Sequence, residues 1–169
     1  MTKEEWNNAV IKGLAEAHPD ARPELNFTNP FELLIATMLS AQCTDRQVNK
    51  CTPALFRDHQ NAESISRMTP EEIALYIKPC WFYNTKGKNI IAACRELVEK
   101  YGGEVPCDRE ALEALPGVGR KTANVVLSNA FGVPAIAVDT HVFRVSNRLG
   151  IAEAKTVEET EKQLMQAIP

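Results

Sequence analysis

The sequence lacks the features that mark membrane and β-rich proteins. No apolar run approaches the roughly 20 residues that a transmembrane helix requires, and the first residues show no signal-peptide pattern. These two absences favour a cytoplasmic protein without a membrane segment. No run of alternating polar and apolar residues is long enough to predict a β-strand, whereas helical spacing and helix caps recur throughout. We therefore predict an all-α fold.

The chain lacks closely spaced cysteines. An odd number of cysteines without C-x-x-C spacing indicates neither a disulfide framework nor a cysteine metal site. We expect reduced thiols, most of them buried. The three histidines have no acidic or cysteine cluster beside them, so no metal-binding residue is predicted. The five cysteines are Cys43, Cys51, Cys80, Cys94 and Cys107.

The chain also lacks an excess of positive charge. Its net charge is -3, and neutralisation of phosphates supplies most non-specific affinity for DNA. The charge is distributed unevenly, however. Residues 116–150 carry four basic side chains against one acidic side chain, a net charge of +3, whereas residues 151–169 carry two against four, a net charge of -2. A local basic surface is therefore predicted in residues 116–150.

Two glycines one residue apart mark the most informative segment, Leu115-Pro116-Gly117-Val118-Gly119-Arg120-Lys121. This spacing predicts a sharp turn that directs backbone N–H groups outward at the start of a helix, where they can bind a phosphate without reading any base. Lys121 falls in the first turn of that helix, where the positive end of the helix dipole favours a neutral amine. From the residues alone, Lys121 is either a phosphate contact or an amine nucleophile.

Cap residues predict where several helices begin and end. Asn29 and Thr69 each precede a proline and have glutamate three residues later, the pattern of a helix N-terminus. Further N-caps are predicted at Asp108, Asp139 and Thr156, and helix ends at Gly102 and Gly132.

These segments together resemble the endonuclease III family of helix-hairpin-helix DNA glycosylases. The resemblance spans roughly residues 20–169 and includes Asn29–Ala36, Leu39–Asp45 and Tyr83–Lys86. It implies two helical lobes with a DNA cleft between them. Residues 22–133 would form a six-helix lobe that contains the hairpin, and residues 1–21 with 134–169 would form the second lobe.

The resemblance also implies a reaction. In the family, a lysine at the position of Lys121 attacks C1′ of the damaged nucleotide, expels the base and forms a Schiff base with the sugar. Elimination of the 3′ phosphate then cuts the strand. An aspartate at the position of Asp139 helps to deprotonate the amine and stabilises the developing positive charge. We therefore expect base excision repair of oxidised pyrimidines in double-stranded DNA, and abasic-site cleavage, by a monomer at the nucleoid without a diffusible cofactor.

The remaining predicted residues contact DNA. Gln42 would enter the duplex where the damaged base has swung out, and Phe82 would intercalate as a second wedge unless it belongs to a core aromatic cluster. His141 is expected to be packed or to face a phosphate, without proton transfer. The other predicted DNA contacts are Gly117, Val118, Gly119, Arg120 and Thr122.

The sequence departs from the family at several positions. Trp81 stands where relatives usually have glycine, and Gly87 stands where they usually have alanine. Adenine-removing relatives have a glutamate near the position of Ala36, so adenine removal is disfavoured. A [4Fe-4S] cluster held by four C-terminal cysteines is typical of the family, and this chain contains no such cysteine segment.

The sequence leaves two alternatives to the enzyme open. The first is a non-catalytic helix-hairpin-helix module that only binds duplex DNA. The second is an inactive truncated relative, for which an exposed apolar face on residues 157–168 would be evidence.

Overall fold

The computed structural model describes residues 1–169, which form ten helices and no strand. The all-α prediction is confirmed. None of the helices combines the length and apolarity needed to cross a bilayer. The helices are α1 (Lys3–Ala17), α2 (Pro30–Ser40), α3 (Asp45–Asp58), α4 (Ala62–Ser66), α5 (Pro70–Ile77), α6 (Tyr83–Tyr101), α7 (Arg109–Glu113), α8 (Arg120–Phe131), α9 (Thr140–Arg148) and α10 (Val157–Ala167).

Side-chain caps fix the start of eight of the ten helices. Each such cap accepts a hydrogen bond from a first-turn N–H group that has no partner within the helix. All five predicted caps are confirmed, and the two glycines predicted to end α6 and α8 adopt the left-handed conformation of a helix C-terminus. The three caps that the sequence analysis did not predict are Thr2, Thr44 and Asn61.

The chain divides into two compact units. Pro23–Val133 forms one unit, and Met1–Arg22 with Pro134–Pro169 forms the other. The first unit contains the seven helices α2 to α8, of which α4 and α7 are only five residues long.

The core of the Pro23–Val133 unit is built around α2. Eight of its eleven residues are buried, and it packs against α3, α6 and α8. Leu33, Leu34, Ile35 and Leu39 have no exposed surface. Each such side chain contributes about 1.5–3 kcal/mol to stability through its burial. The packing of α2 therefore fixes the positions at which α8 and the segment after Ser40 begin.

The other unit has its own smaller core, formed by Val138, Ile151, Ala152 and Leu164 with partly buried neighbours from α1, α9 and α10. The Trp6 indole N–H donates to Leu149 O over 2.8 Å and attaches α1 to the end of α9.

The apolar residues of α10 contribute to this core. Val157, Leu164, Ala167 and Ile168 pack within it, and Met165 is the large apolar residue of the helix that stays exposed, at 39%. The broad exposed apolar face that would support a truncated relative is therefore not present on residues 157–168.

Candidate functional site

A tight turn joins α7 to α8. Gly117 has φ of +75°, a conformation that L-residues with side chains rarely adopt. A Cβ atom at this position would lie 2.8 Å from Asn89 Cβ, so glycine is also required by close packing. Val118 N–H donates to Leu115 O over 3.1 Å and the Val118 side chain is buried. Val118 therefore anchors the turn through its own backbone and side chain.

Gly119 forms the other half of the turn in a different way. Its φ of -96° is open to any residue, and an added Cβ would meet no atom within 4 Å. The absence of a side chain here leaves open space in front of α8. Gly119 is the N-cap of α8 and provides no side-chain hydrogen bond to the helix, a property shared among the ten helices only by Phe82 at the start of α6.

The first turn of α8 carries Arg120, Lys121 and Thr122. Arg120 and Lys121 are exposed and Thr122 is half-buried. Ala123 N–H donates to Gly119 O and begins the regular bonding of the helix. The positive end of the helix dipole and two basic side chains thus act on the same surface, an arrangement that attracts phosphate.

Asp45 is a neighbour of Lys121 that no sequence motif marks as part of the site. Burial raises the pKa of the Asp45 carboxyl, the charge of Glu24 raises it further, and the charge of Lys121 opposes both effects. Because the charge of Lys121 affects the pKa of Asp45, the two side chains lie near each other. Asp45 follows the N-cap Thr44, so its sequence position suggests an ordinary first-turn acid, which is why the pattern alone did not single it out.

Asp139 caps α9 with one carboxylate oxygen. Its Oδ1 accepts from His141 N at 3.0 Å and from Val142 N at 2.8 Å. Its Oδ2 lies 3.4 Å from His141 Nδ1, and the His141 side chain is 74% exposed. Val138, immediately before it, is buried in the core of its unit. The carboxylate is therefore held in a fixed orientation, and His141 is a surface residue rather than a packed one.

The two residues predicted to enter the duplex both lie on the protein surface of the Pro23–Val133 unit. Gln42 follows the end of α2, is exposed and has φ of +52°. Phe82 precedes α6, is 59% exposed and has φ of +57°. They are the only non-glycine residues with positive φ in the chain. The exposure of Phe82 excludes the core aromatic cluster that was its alternative assignment.

The structure shows the surroundings of Trp81 and Gly87, the two positions near α6 at which the sequence departs from the family. Trp81 is 64% exposed and its ring packs edge-on against Phe82, with centroids 5.7 Å apart, so the indole enlarges the exposed aromatic surface. A Cβ at Gly87 would lie 2.9 Å from Ile73 Cγ2. The Ile73 side chain thus occupies space that alanine would need, which explains glycine at this position.

Most of the cysteines are buried thiols. All five are free, and Cys51, Cys80 and Cys94 are buried. Burial raises the pKa of Cys80 to about 12, with further contributions from Cys51 and Cys43. No group of three or more histidine, cysteine or acidic side chains is placed to hold a metal ion. The residues of this chain therefore do not fit the four-cysteine cluster typical of the family, and no step of the reaction is assigned to it.

Comparison with known proteins identifies what this arrangement resembles. Residues 35–169 match the family described as HhH-GPD superfamily base excision DNA repair protein. Endonuclease III of Escherichia coli is 52% identical over 160 residues, which cover 95% of this chain and 76% of that protein. Endonuclease III of Bacillus subtilis is 53% identical over 157 residues, which cover 92% of this chain and 72% of that protein.

A solved structure of a trapped endonuclease III–DNA covalent intermediate, in an estranged-adenine complex, superposes with a TM-score of 0.94 at 50% identity. The match covers all of this chain and 80% of that one.

Proposed function

Because the chain belongs to the HhH-GPD superfamily of base excision DNA repair proteins, we propose that Lys121 and Asp139 are its catalytic residues and that damaged double-stranded DNA is its substrate. The protein is a base excision repair enzyme, a DNA glycosylase that also cleaves the strand at abasic sites. The binding-module alternative is not favoured, because the similarity extends through nearly the whole chain and not only through the hairpin. The similarity to endonuclease III supports the assignment of Lys121 as the nucleophile, and its exposed position in the first turn of α8 leaves the amine accessible to DNA.

The proposed reaction begins with the Lys121 amine. Its lone pair forms a bond to C1′ of the damaged nucleotide, and the bond from C1′ to the base breaks, with its electron pair leaving on the base. Ring opening of the sugar gives an iminium between Nζ and C1′. Loss of a proton from C2′ then expels the 3′ phosphate by β-elimination and cuts the strand. Hydrolysis of the imine releases Lys121 unchanged.

Asp139 supplies a fixed negative charge in this scheme. It accepts the proton that the Lys121 amine loses and stabilises the positive charge on the sugar as the base departs. Two backbone N–H groups donate to Oδ1 and stabilise the negative charge of the carboxylate, and Oδ2 lies 3.4 Å from His141 Nδ1. We assign His141 to phosphate contact, in keeping with its exposure.

The turn before α8 holds the phosphate backbone in this proposal. Gly117 and Gly119 form the turn that the phosphate approaches, and the buried Val118 side chain anchors this turn. Arg120 and Thr122 flank the phosphate at the N-terminus of α8. Gln42 and Phe82 fill the space from which the damaged base has turned out. The two compact units would be the two lobes of the enzyme, which we expect to act as a monomer on chromosomal DNA at the nucleoid.

Oxidised pyrimidines are the proposed lesions. Purified protein incubated with a duplex that contains one oxidised pyrimidine should release the base and cut the strand at that site. The control is a duplex with adenine mispaired opposite oxidised guanine, which should stay intact, because Ala36 is fully buried in α2 and offers no acid to protonate adenine. Release of adenine without release of the oxidised pyrimidine would contradict the assignment.

Substitution of the two hairpin glycines by alanine should separate folding from DNA binding. Gly117→Ala forces a positive φ and a 2.8 Å contact with Asn89, and should lower the free energy of unfolding by about 1–3 kcal/mol. Gly119→Ala meets no protein atom, so stability should change by less than about 0.5 kcal/mol. Its methyl group would instead obstruct a phosphate in front of α8 and weaken binding to an abasic-site duplex. Thermal unfolding and titration at fixed salt measure the two effects; unchanged DNA affinity in Gly119→Ala would argue against this phosphate site.

A further inference from the structure

Left-handed backbone at Gln42 and Phe82 needs support from the surrounding structure. Such a conformation is unfavourable for a residue with a side chain, and it persists only where neighbouring contacts enforce it. Glycine, which adopts it freely, stands at every other positive-φ position of the chain. The two proposed wedge residues therefore share an unfavourable conformation that some other group must stabilise.

Lys86 is bonded to both of these segments. Its side chain is buried, with 9% exposure, and its Nζ donates to Leu39 O over 2.7 Å and to Ala41 O over 2.5 Å. Ala41 is the residue immediately before Gln42. The backbone N–H of the same lysine donates to Phe82 O over 3.0 Å. This last bond is the first regular hydrogen bond of α6, so the Lys86 side chain ties the end of α2, next to the first wedge, to the helix that the second wedge precedes.

The Lys86 ammonium lies at the C-terminal end of α2, where a positive charge is stabilised. The last carbonyls of a helix have no partner within the helix and form the negative end of its dipole, so a cation is favoured there. Cys43 N–H donates to Ser40 O over 3.0 Å and closes the turn around Gln42. Lys86 satisfies the carbonyls on either side of Ser40, so the whole turn is fixed by hydrogen bonds. Burial lowers the pKa of Lys86, an effect that the neighbouring thiols Cys43 and Cys80 oppose.

We propose that Lys86 is a positioning residue that sets Gln42 and Phe82 at a fixed spacing, so that both enter the duplex together when the damaged base turns out. The ammonium does not touch the reacting atoms and acts through the turn after α2. This inference rests on the proposed function of Gln42 and Phe82 as wedges. It predicts that Lys86 matters where a base must be extruded from a duplex and not where the sugar is already accessible.

The test compares two substrates under single-turnover conditions. One is a duplex with an oxidised pyrimidine, which requires base extrusion, and the other is a single-stranded oligonucleotide with one abasic site, which requires only attack on the sugar. In Lys86→Met the duplex rate should fall by about 10- to 100-fold, since small misplacements near a reacting group have effects of this size. Cleavage of the single strand should change less than about twofold. Lys88→Met, an exposed lysine two residues further along α6, is the matched control and should alter neither rate.

A double-mutant cycle identifies the residue through which Lys86 acts. If Lys86 acts through the wedges, its effect on the duplex rate should shrink several-fold in a Gln42→Ala background. Equal loss of both activities in Lys86→Met, or additive effects with Gln42→Ala, would overturn the inference. An unchanged duplex rate in Gln42→Ala would instead overturn the wedge assignment on which the inference rests.

If the methionine variant does not fold, Lys86→Gln, which keeps amide donors near the two carbonyls, is measured on the same pair of substrates. Lys86→Gln should lower the rate on the duplex by less than is expected for Lys86→Met and leave the rate on the single strand unchanged. An equal fall of both rates would contradict the proposal.

Discussion

Lys121→Ala should reduce strand cleavage at an abasic site by about 10³-fold or more, because it removes the amine that forms the covalent intermediate. Lys121→Arg should fail to the same extent. Arginine preserves the positive charge and the phosphate contact at the start of α8, yet a guanidinium stays protonated and does not add to C1′. The rates are measured on a duplex with one abasic site at saturating protein.

The arginine variant distinguishes the two assignments that the sequence left open. A residue that only contacts phosphate would tolerate arginine, so near-normal cleavage by Lys121→Arg would contradict the nucleophile assignment. Both variants should fold normally, because Lys121 is exposed on the first turn of its helix. Arg120→Ala, one residue earlier, should weaken DNA binding in a salt-dependent way and still cut the strand.

Asp139→Asn should lower the rate of base excision by about 10²- to 10³-fold with little loss of stability. Asparagine caps a helix as well as aspartate does, so the hydrogen bonds from His141 and Val142 can be kept. What the variant loses is the negative charge that accepts the lysine proton and stabilises the developing cation. Single-turnover excision of an oxidised pyrimidine and thermal unfolding measure the two properties.

A second N-cap in the same chain provides the control for this variant. Asp108 caps α7 by accepting from Ala111 N over 2.9 Å, and Asp108→Asn makes the same chemical change at a residue that has no assigned part in the reaction. It should leave the excision rate unaltered. If Asp139→Asn excises the base as fast as the unmodified protein, the carboxylate is a helix cap and nothing more.

The fold was predictable from the sequence because its signals are local. An N-cap oxygen bonds to N–H groups two or three residues ahead, so a helix start can be predicted from a few neighbouring residues without the tertiary structure. The caps predicted in this way are Asn29, Thr69, Asp108, Asp139 and Thr156. The helix ends at Gly102 and Gly132 follow for the same reason, since a left-handed residue is a local requirement.

Features that depend on distant contacts were not predictable in this way. Lys86 looks like a surface lysine in a polar helix start, and its role appears only when the end of α2 is brought beside it. Asp45 has no sequence relation to Lys121, and only folding of the Pro23–Val133 unit brings the two into electrostatic contact. The Gly87 substitution is likewise intelligible only from the position of the Ile73 side chain.

The residues of the hairpin motif have different roles that the sequence pattern does not distinguish. Its two glycines look equivalent in the sequence, yet Gly117 is required by positive φ and by Asn89, whereas Gly119 leaves space in front of α8. Val118, between them, uses its N–H group for Leu115 O. Backbone conformation therefore distinguishes folding requirements from the surface offered to a ligand.

The most direct test of the central claim is reduction with borohydride of the protein bound to a duplex with one abasic site, followed by peptide mapping of the product. Reduction converts an imine between Nζ and C1′ into a stable amine. The account predicts a covalent protein–DNA adduct whose modified residue is Lys121. An adduct on another amine, or full strand cleavage without any trapped adduct, would contradict it.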